Sequence, residues 1–278
     1  MASPKLPVLA FISLTLFLLF LSKVNSTETQ SFNFDHFEEN SNELNLQREA
    51  SIKSSGVLEL TKLTKNGVPV WKSTGRALYA EPIKIWDSTT GNVASFETRF
   101  SFNITQPYAD PKPADGLAFF MVPPNSPQGE DGGNLGVFRP GGGLNAFAVE
   151  FDTFQNTWDP QVPHIGIDVN SIVSSKTLHF QLENGGVANV VIKYDSPTKI
   201  LNVVLAFHSV GTVYTLSNIV DLKQEFPNSE WVNVGLSATT GYQKNAVETH
   251  EIISWSFTSS LQETNNAIPT SNHNTFAS

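Results

Sequence analysis

The stretch SFETRFSFNI, residues 95–104, alternates without a break. Phe96, Thr98, Phe100, Phe102 and Ile104 fall on one face, and Glu97, Arg99, Ser101 and Asn103 on the other. A period of two over ten residues predicts a half-buried β-strand. The same grammar extends in both directions. GLAFFMV (116–122) and NVVLAF (202–207) are apolar runs of buried-strand length, and EIISWSFTSSL (251–261) alternates with Ile253, Trp255 and Phe257 on one side. FQLENGGVANVVIKYD (180–195) carries Asn184-Gly185-Gly186 between two strand-like runs, which predicts a hairpin. No segment sustains a helical period. Many antiparallel strands joined by Gly, Pro and Asn turns imply an all-β fold of two packed sheets, a sandwich or jelly roll.

The ends of the chain read differently. Lys5, the uncharged apolar run VLAFISLTLFLLFL (8–21), Lys23 and the small residues before Thr27 predict a secretory signal peptide over residues 1–26. The run is short for a bilayer span and has no companion, so membrane insertion is not expected. QETNNAIPTSNHNTFAS (262–278) is polar and aperiodic, and is expected to be disordered or clipped. That leaves 27–261 as one domain, large enough to bury a core without disulfides, and the chain has no cysteine. Without the leader there are 15 basic residues against 26 acidic ones, with no basic block, so nucleic acid is a poor partner. Asn103-Ile104-Thr105 is a glycosylation sequon whose asparagine lies on the polar strand face. Asn25-Ser26-Thr27 also matches but straddles the expected cleavage point.

One segment gathers chemistry. VEFDTFQNTWDPQVPHIGID (149–168) holds Glu150, Asp152, Asn156, Asp159 and His164. If the strand alternation continues, Glu150 and Asp152 project from the same side as Ala148 and Phe154, roughly 6–7 Å apart. Like charges held so close need a counter-charge or a shared proton. Three readings compete: a glycosidase carboxylate pair, a metal site, and a solvated acidic patch. The turn that follows adds the Asn156 amide oxygen and the Asp159 carboxylate, a hard-oxygen set suited to Ca²⁺. His164 adds a nitrogen that suits Mn²⁺ or another first-row metal. The series Glu150, Asp152, Phe154 weakens the glycosidase reading. A phenylalanine transfers no proton, but it can stack on a sugar ring.

The segment closely resembles the metal-binding signature of the legume lectins. The resemblance covers nearly all of the expected mature chain. It includes SFNFDHF, GRALYAEPIKIWDSTTGNVASFETRFSF, PADGLAFFMVPP, GGNLGVF, GLSATTG and ETHEIISWSF, in that order. The short FDTFQNTWDP loop and the HFQLENGGVANVVIKYD stretch are similar to galactose/N-acetylgalactosamine-binding members of the soybean-agglutinin and coral-tree-lectin kind. The resemblance implies the legume-lectin jelly-roll sandwich and no enzymatic activity. It implies that Glu150, Asp152, Asp159 and His164 bind the transition metal, typically Mn²⁺, with Ser174 acting through water. It implies that Asp152, Asn156, Asp159 and the Phe154 carbonyl bind Ca²⁺.

The implied sugar site consists of Asp115, whose peptide bond to Ala114 is cis in the family, together with Gly133, Phe154, Asn156 and Gln243. Tyr242 departs from the small residue of several relatives and leaves sugar choice open. Asp168 and Asn170 read as structural. The function expected is a metal-dependent lectin that cross-links galactose/GalNAc-containing glycans as a homodimer or homotetramer. It would follow the secretory pathway to a seed vacuole, protein body or the extracellular space. The alternative is a lectin-fold storage or defence protein with a weak or lost sugar site, and a sandwich glycosidase comes third.

Overall fold

The computed structural model describes residues 25–109 and 112–264. Two eight-stranded antiparallel sheets stack face to face. One contains β1 (Asn25–Phe34), β3 (Ser51–Ile52), β4 (Leu58–Glu59), β7 (Ser95–Asn103), β12 (Val187–Asp195), β13 (Ile200–Phe207), β14 (Thr212–Ile219) and β16 (Glu251–Thr264). The other contains β2 (Leu44–Arg48), β5 (Thr74–Tyr79), β6 (Ile83–Lys84), β8 (Asp115–Val122), β9 (Phe147–Asp152), β10 (His164–Val169), β11 (Lys176–His179) and β15 (Trp231–Thr240). A one-turn helix, α1 (Leu222–Glu225), and a 3-10 turn at Gly132–Asn134 complete the described elements.

The alternation in 95–104 is realised as β7, with Phe96, Thr98, Phe100 and Phe102 buried between the sheets. Trp255 and Phe257 of β16 enter the same core, and Phe96 stacks on Phe257 with ring centroids 5.6 Å apart. β8 and β9 are buried on both faces. Leu117, Phe119 and Met121 face the main core, whereas Ala118, Phe120 and Val122 meet a second cluster that includes Leu135, Val137 and Phe138. Loops therefore cover the outside of this sheet, and any polar side chain on that face is roofed over.

One expectation about strand pairing needs correction. Asn184-Gly185-Gly186 makes a tight turn, Gly186 N–H donating to Glu183 O at 2.9 Å, but not a hairpin. β11 before it pairs with β10, and β12 after it pairs with β7 and β13 in the opposite sheet. The turn instead crosses between sheets, tied by Gly185 N–H to Ile104 O at 2.9 Å. At the C-terminus, β16 runs past Leu261 to Thr264, paired with β1 back to Asn25. The other residues of the expected signal peptide and of the expected polar tail lie outside the described residues. No described helix is long and apolar enough to cross a membrane.

Candidate carbohydrate and metal site

β9 and β10 pair so that His164 stands opposite Asp152 and Gly166 opposite Glu150. Period two then places Glu150, Asp152, His164 and Asp168 on the roofed outer face. Glu150 is fully buried, Asp152 is 3% exposed and His164 1%. Ligand atoms of Glu150, Asp152 and His164 lie within 4.8 Å of one another, and His164 Nε2 is 3.0 Å from Glu150 Oε1. Asp159 is half-buried at the end of the following turn, where its Oδ2 accepts the Asn156 N–H at 2.7 Å. The Phe154 N–H donates to Asp152 Oδ1 at 2.7 Å.

The cluster is electrostatically incomplete. Burial raises the Asp152 carboxyl well above the usual range, with the Glu150 and Asp159 charges adding to it. Burial also raises Asp159. Seven buried side-chain polar atoms among the described residues lack a hydrogen-bond partner, and five belong here: Asp115 Oδ2, Glu150 Oε2, Asn156 Oδ1, His164 Nδ1 and Asp168 Oδ2. Buried polar groups are normally paired, so such a concentration marks a place that receives something. Carboxylate oxygens, an amide oxygen and one imidazole fit a hard divalent cation beside a first-row transition metal.

In front of the cluster lies an open cavity of about 470 Å³. Asp115, Gly133, Phe154, Asn156 and Gln243 all line it, although they come from four separate segments. Asp115 opens β8 after a cis Ala114–Asp115 peptide and is 4% exposed. Burial pushes its carboxyl up to about 7, with the Glu248 and Asp159 charges contributing. Phe154 is half-buried and Gln243 exposed. Gly133 lies flat against the Asn156 amide: a Cβ there would sit 2.3 Å from Asn156 Oδ1. Tyr242, 56% exposed, covers Gly132 at the rim, where a Cβ would meet its ring at 2.3 Å.

A family model described as the legume lectin domain matches residues 29–274. The chain is a legume lectin. It is 61% identical to a lectin of Erythrina corallodendron over 282 aligned positions, covering all of both chains. A structure of winged bean acidic lectin complexed with methyl-α-D-galactose matches with a TM-score of 0.83 and 96% identity, over 85% of this chain and 100% of that one. A structure of basic winged bean lectin with Tn-antigen matches with a TM-score of 0.82 and 63% identity, over 84% and 99%. The family binds carbohydrate and is not enzymatic. Neither Glu150 nor Asp152, the carboxylate pair that raised the glycosidase reading, lines the cavity.

Several contacts around the candidate site were not legible in the sequence. Asp168, read as structural, is fully buried, and Ser174 Oγ bridges it to Glu150, 2.6 Å from Asp168 Oδ1 and from Glu150 Oε1. The Gly133 loop is held by residues distant in sequence. Arg48 bonds to Gln128, the Gly129 carbonyl and Asp131, Thr74 Oγ1 donates to Asp131, and Thr239 Oγ1 donates to Gly132 O at 2.8 Å. No local pattern announces these contacts. Asn103 is half-buried, and its Nδ2 donates to Gly185 O at 2.6 Å.

Proposed function

We propose that this lectin binds terminal galactose or N-acetylgalactosamine in the Asp115 cavity, and that it requires Ca²⁺ and Mn²⁺ to do so. The observation that carries the reading is the convergence of Asp115, Gly133, Phe154, Asn156 and Gln243 on one cavity directly over the partnerless carboxylate cluster. The methyl-α-D-galactose and the Tn-antigen of the two winged bean structures support the choice of sugar.

Glu150, Asp152, Asp159 and His164 would hold the transition metal, with Ser174 in support. Asp152, Asn156, Asp159 and the Phe154 carbonyl would hold the calcium. Bound cations supply positive charge that neutralises the crowded carboxylates and fixes the 153–159 loop. The sugar contacts belong to the chain's own groups. Asp115 accepts hydrogen bonds from two adjacent hydroxyls, charge-assisted and therefore strong. Asn156 turns its NH₂ to the sugar, the Gly133 N–H donates to a hydroxyl, and Phe154 covers the apolar face of the ring. Gln243, with Tyr242 beside it on the rim, trims which sugars enter.

The same reading gives the wider setting. The leader sends the protein into the secretory pathway, towards a seed vacuole, protein body or the extracellular space, and the Asn103 sequon is glycosylated there. The protein works as a homodimer or homotetramer. Val187, Ile200, Val213 and Ile219, exposed on β12 to β14, leave apolar surface at that edge of the sandwich. Calorimetry with galactose tests the site. Asp115→Asn is expected to lose about 1.5–3 kcal/mol, roughly 10- to 150-fold in affinity. Unchanged affinity in a fully metallated variant would place the site elsewhere.

A further inference from the structure

Glu248 is fully buried, and no lysine or arginine forms an ion pair with it among the described residues. A buried carboxylate is costly unless its hydrogen bonds compensate. Here they come from three directions. Thr153 Oγ1 donates to Glu248 Oε1 at 2.6 Å, His250 Nε2 lies 3.1 Å from the same oxygen, and Gln106 Nε2 donates to Oε2 at 3.1 Å. His250 is itself fully buried, with Nδ1 2.9 Å from Thr61 Oγ1.

What these partners carry gives the arrangement meaning. Thr153 is the first residue after β9. Its N–H donates to Asp115 O at 3.1 Å, and Phe154 and Asn156 follow it directly. Glu248 stands at the foot of the 241–246 loop, which is closed by Gly241 N–H to Ala246 O and Ala246 N–H to Gln243 O, both at 3.0 Å, and carries Gln243 and Tyr242. Gln106 belongs to the turn after β7, where Thr105 and Thr249 exchange bonds, Thr249 N–H to Thr105 O at 2.9 Å and Thr105 N–H to Thr249 Oγ1 at 3.0 Å. One carboxylate thus joins the segments that hold Asp115, Phe154, Asn156 and Gln243. Glu248 does not line the cavity.

We propose that Glu248 is a positioning residue for sugar binding: through the Thr153 hydroxyl it sets the Asp115–Phe154–Asn156 side of the cavity against the Gln243 loop. The inference rests on the galactose reading above. Its action is on sugar affinity rather than on metal capture, because its contacts are to the Thr153 hydroxyl, Gln106 and His250 and to none of the candidate metal ligands.

The test uses the full, metal-loaded protein with Thr153→Val, Thr153→Ser and Glu248→Gln. Calorimetry with galactose is run beside metal content and thermal midpoint. Thr153→Val keeps the shape and removes the donor, and it is expected to weaken galactose binding about tenfold with both metals retained. Thr153→Ser restores the hydroxyl and is expected to bind within about twofold of wild type. Combining Thr153→Val with Glu248→Gln is expected to be no worse than the more severe single change, the mark of one shared contact. Unchanged galactose affinity in Thr153→Val overturns the proposal, as does loss of metals in step with sugar, which makes the network merely structural. If Thr153→Val yields no folded protein, Glu248→Gln decides alone, and wild-type affinity there is the contrary result. A wild-type protein that binds no galactose contradicts the functional reading itself rather than this inference.

Discussion

Glu150 and Gly166 face each other across β9 and β10, and only a glycine leaves room for the carboxylate. A Cβ on Gly166 would lie 2.3 Å from Glu150 Oε1 and 2.1 Å from Ser174 Oγ. The glycine is thus part of the candidate metal centre although it supplies no ligand atom. Gly166→Ala is expected to displace Glu150 or Ser174 and to weaken transition-metal affinity roughly 10- to 100-fold, the usual cost of disturbing a ligand's support. Competitive metal titration of the purified variant measures it, and wild-type affinity is the contrary outcome.

Glu150→Gln removes a charge from the same place. The variant is expected to lose the transition metal before it loses the fold, because the main core on the other face of β9 is untouched. Metal analysis by mass spectrometry together with circular dichroism reads both. Neither the variant nor the wild type is expected to release reducing sugar from a galactoside. Steady release by pure wild-type protein would restore the enzyme reading.

The strands were legible because burial imposes a local period. The 95–104 alternation became β7, and Glu150 and Asp152 kept the parity read from Ala148 to Phe154. The candidate metal triad Glu150, Asp152 and His164 was legible because it lies within one short segment. What failed was pairing. Asn184-Gly185-Gly186 turns the chain in the same way whether or not its flanks hydrogen-bond to each other, and β12 found its partner in β7, far away in sequence. Arg48 and Glu248 were invisible for a related reason. Each acts by touching a loop that only the folded sheets bring near, Arg48 at Asp131 and Glu248 at Thr153.

Acidity has a definite sign in the metal-free protein. Burial raises the Asp115 carboxyl from 3.8 to about 7. Between those values the folded chain holds a proton that the unfolded chain has lost. The stability contributed by this group is fully present below about pH 4 and lost as pH rises towards 7. Asp152 and Asp168 are shifted in the same direction. The chelated protein is therefore expected to lose thermal stability over that window, while the metal-loaded protein gains on it as cations replace protons. Thermal unfolding with and without chelator, at steps across the window, checks this. A gap that narrows as pH rises contradicts it.

Valency follows from affinity. One shallow site with a few hydrogen bonds and one stacked ring is expected to bind a monosaccharide at about 0.1–1 mM. Linking sites in an oligomer raises apparent affinity by about 10²–10⁴. A homodimer or dimer of dimers is expected in analytical ultracentrifugation, with red-cell agglutination reversed by free galactose. Glycosylated and glycan-free samples should be compared, because Asn103 lies at the end of β7 beside the Gly185 turn. A strictly monomeric protein that cross-links cells would contradict this account.

The buried carboxylate cluster and the cavity in front of it are expected to work as one device, the cations setting the groups that hold the sugar. Asn156 joins the two parts: it lines the cavity, and its buried Oδ1 lacks a partner within the chain. The most direct measurement is calorimetry of galactose into the same sample three times: metal-loaded, exhaustively chelated, and reloaded with Ca²⁺ and Mn²⁺. The expected results are binding, no detectable binding, and binding restored. A fully demetallated, folded sample that takes up galactose with the affinity of the loaded protein would contradict it.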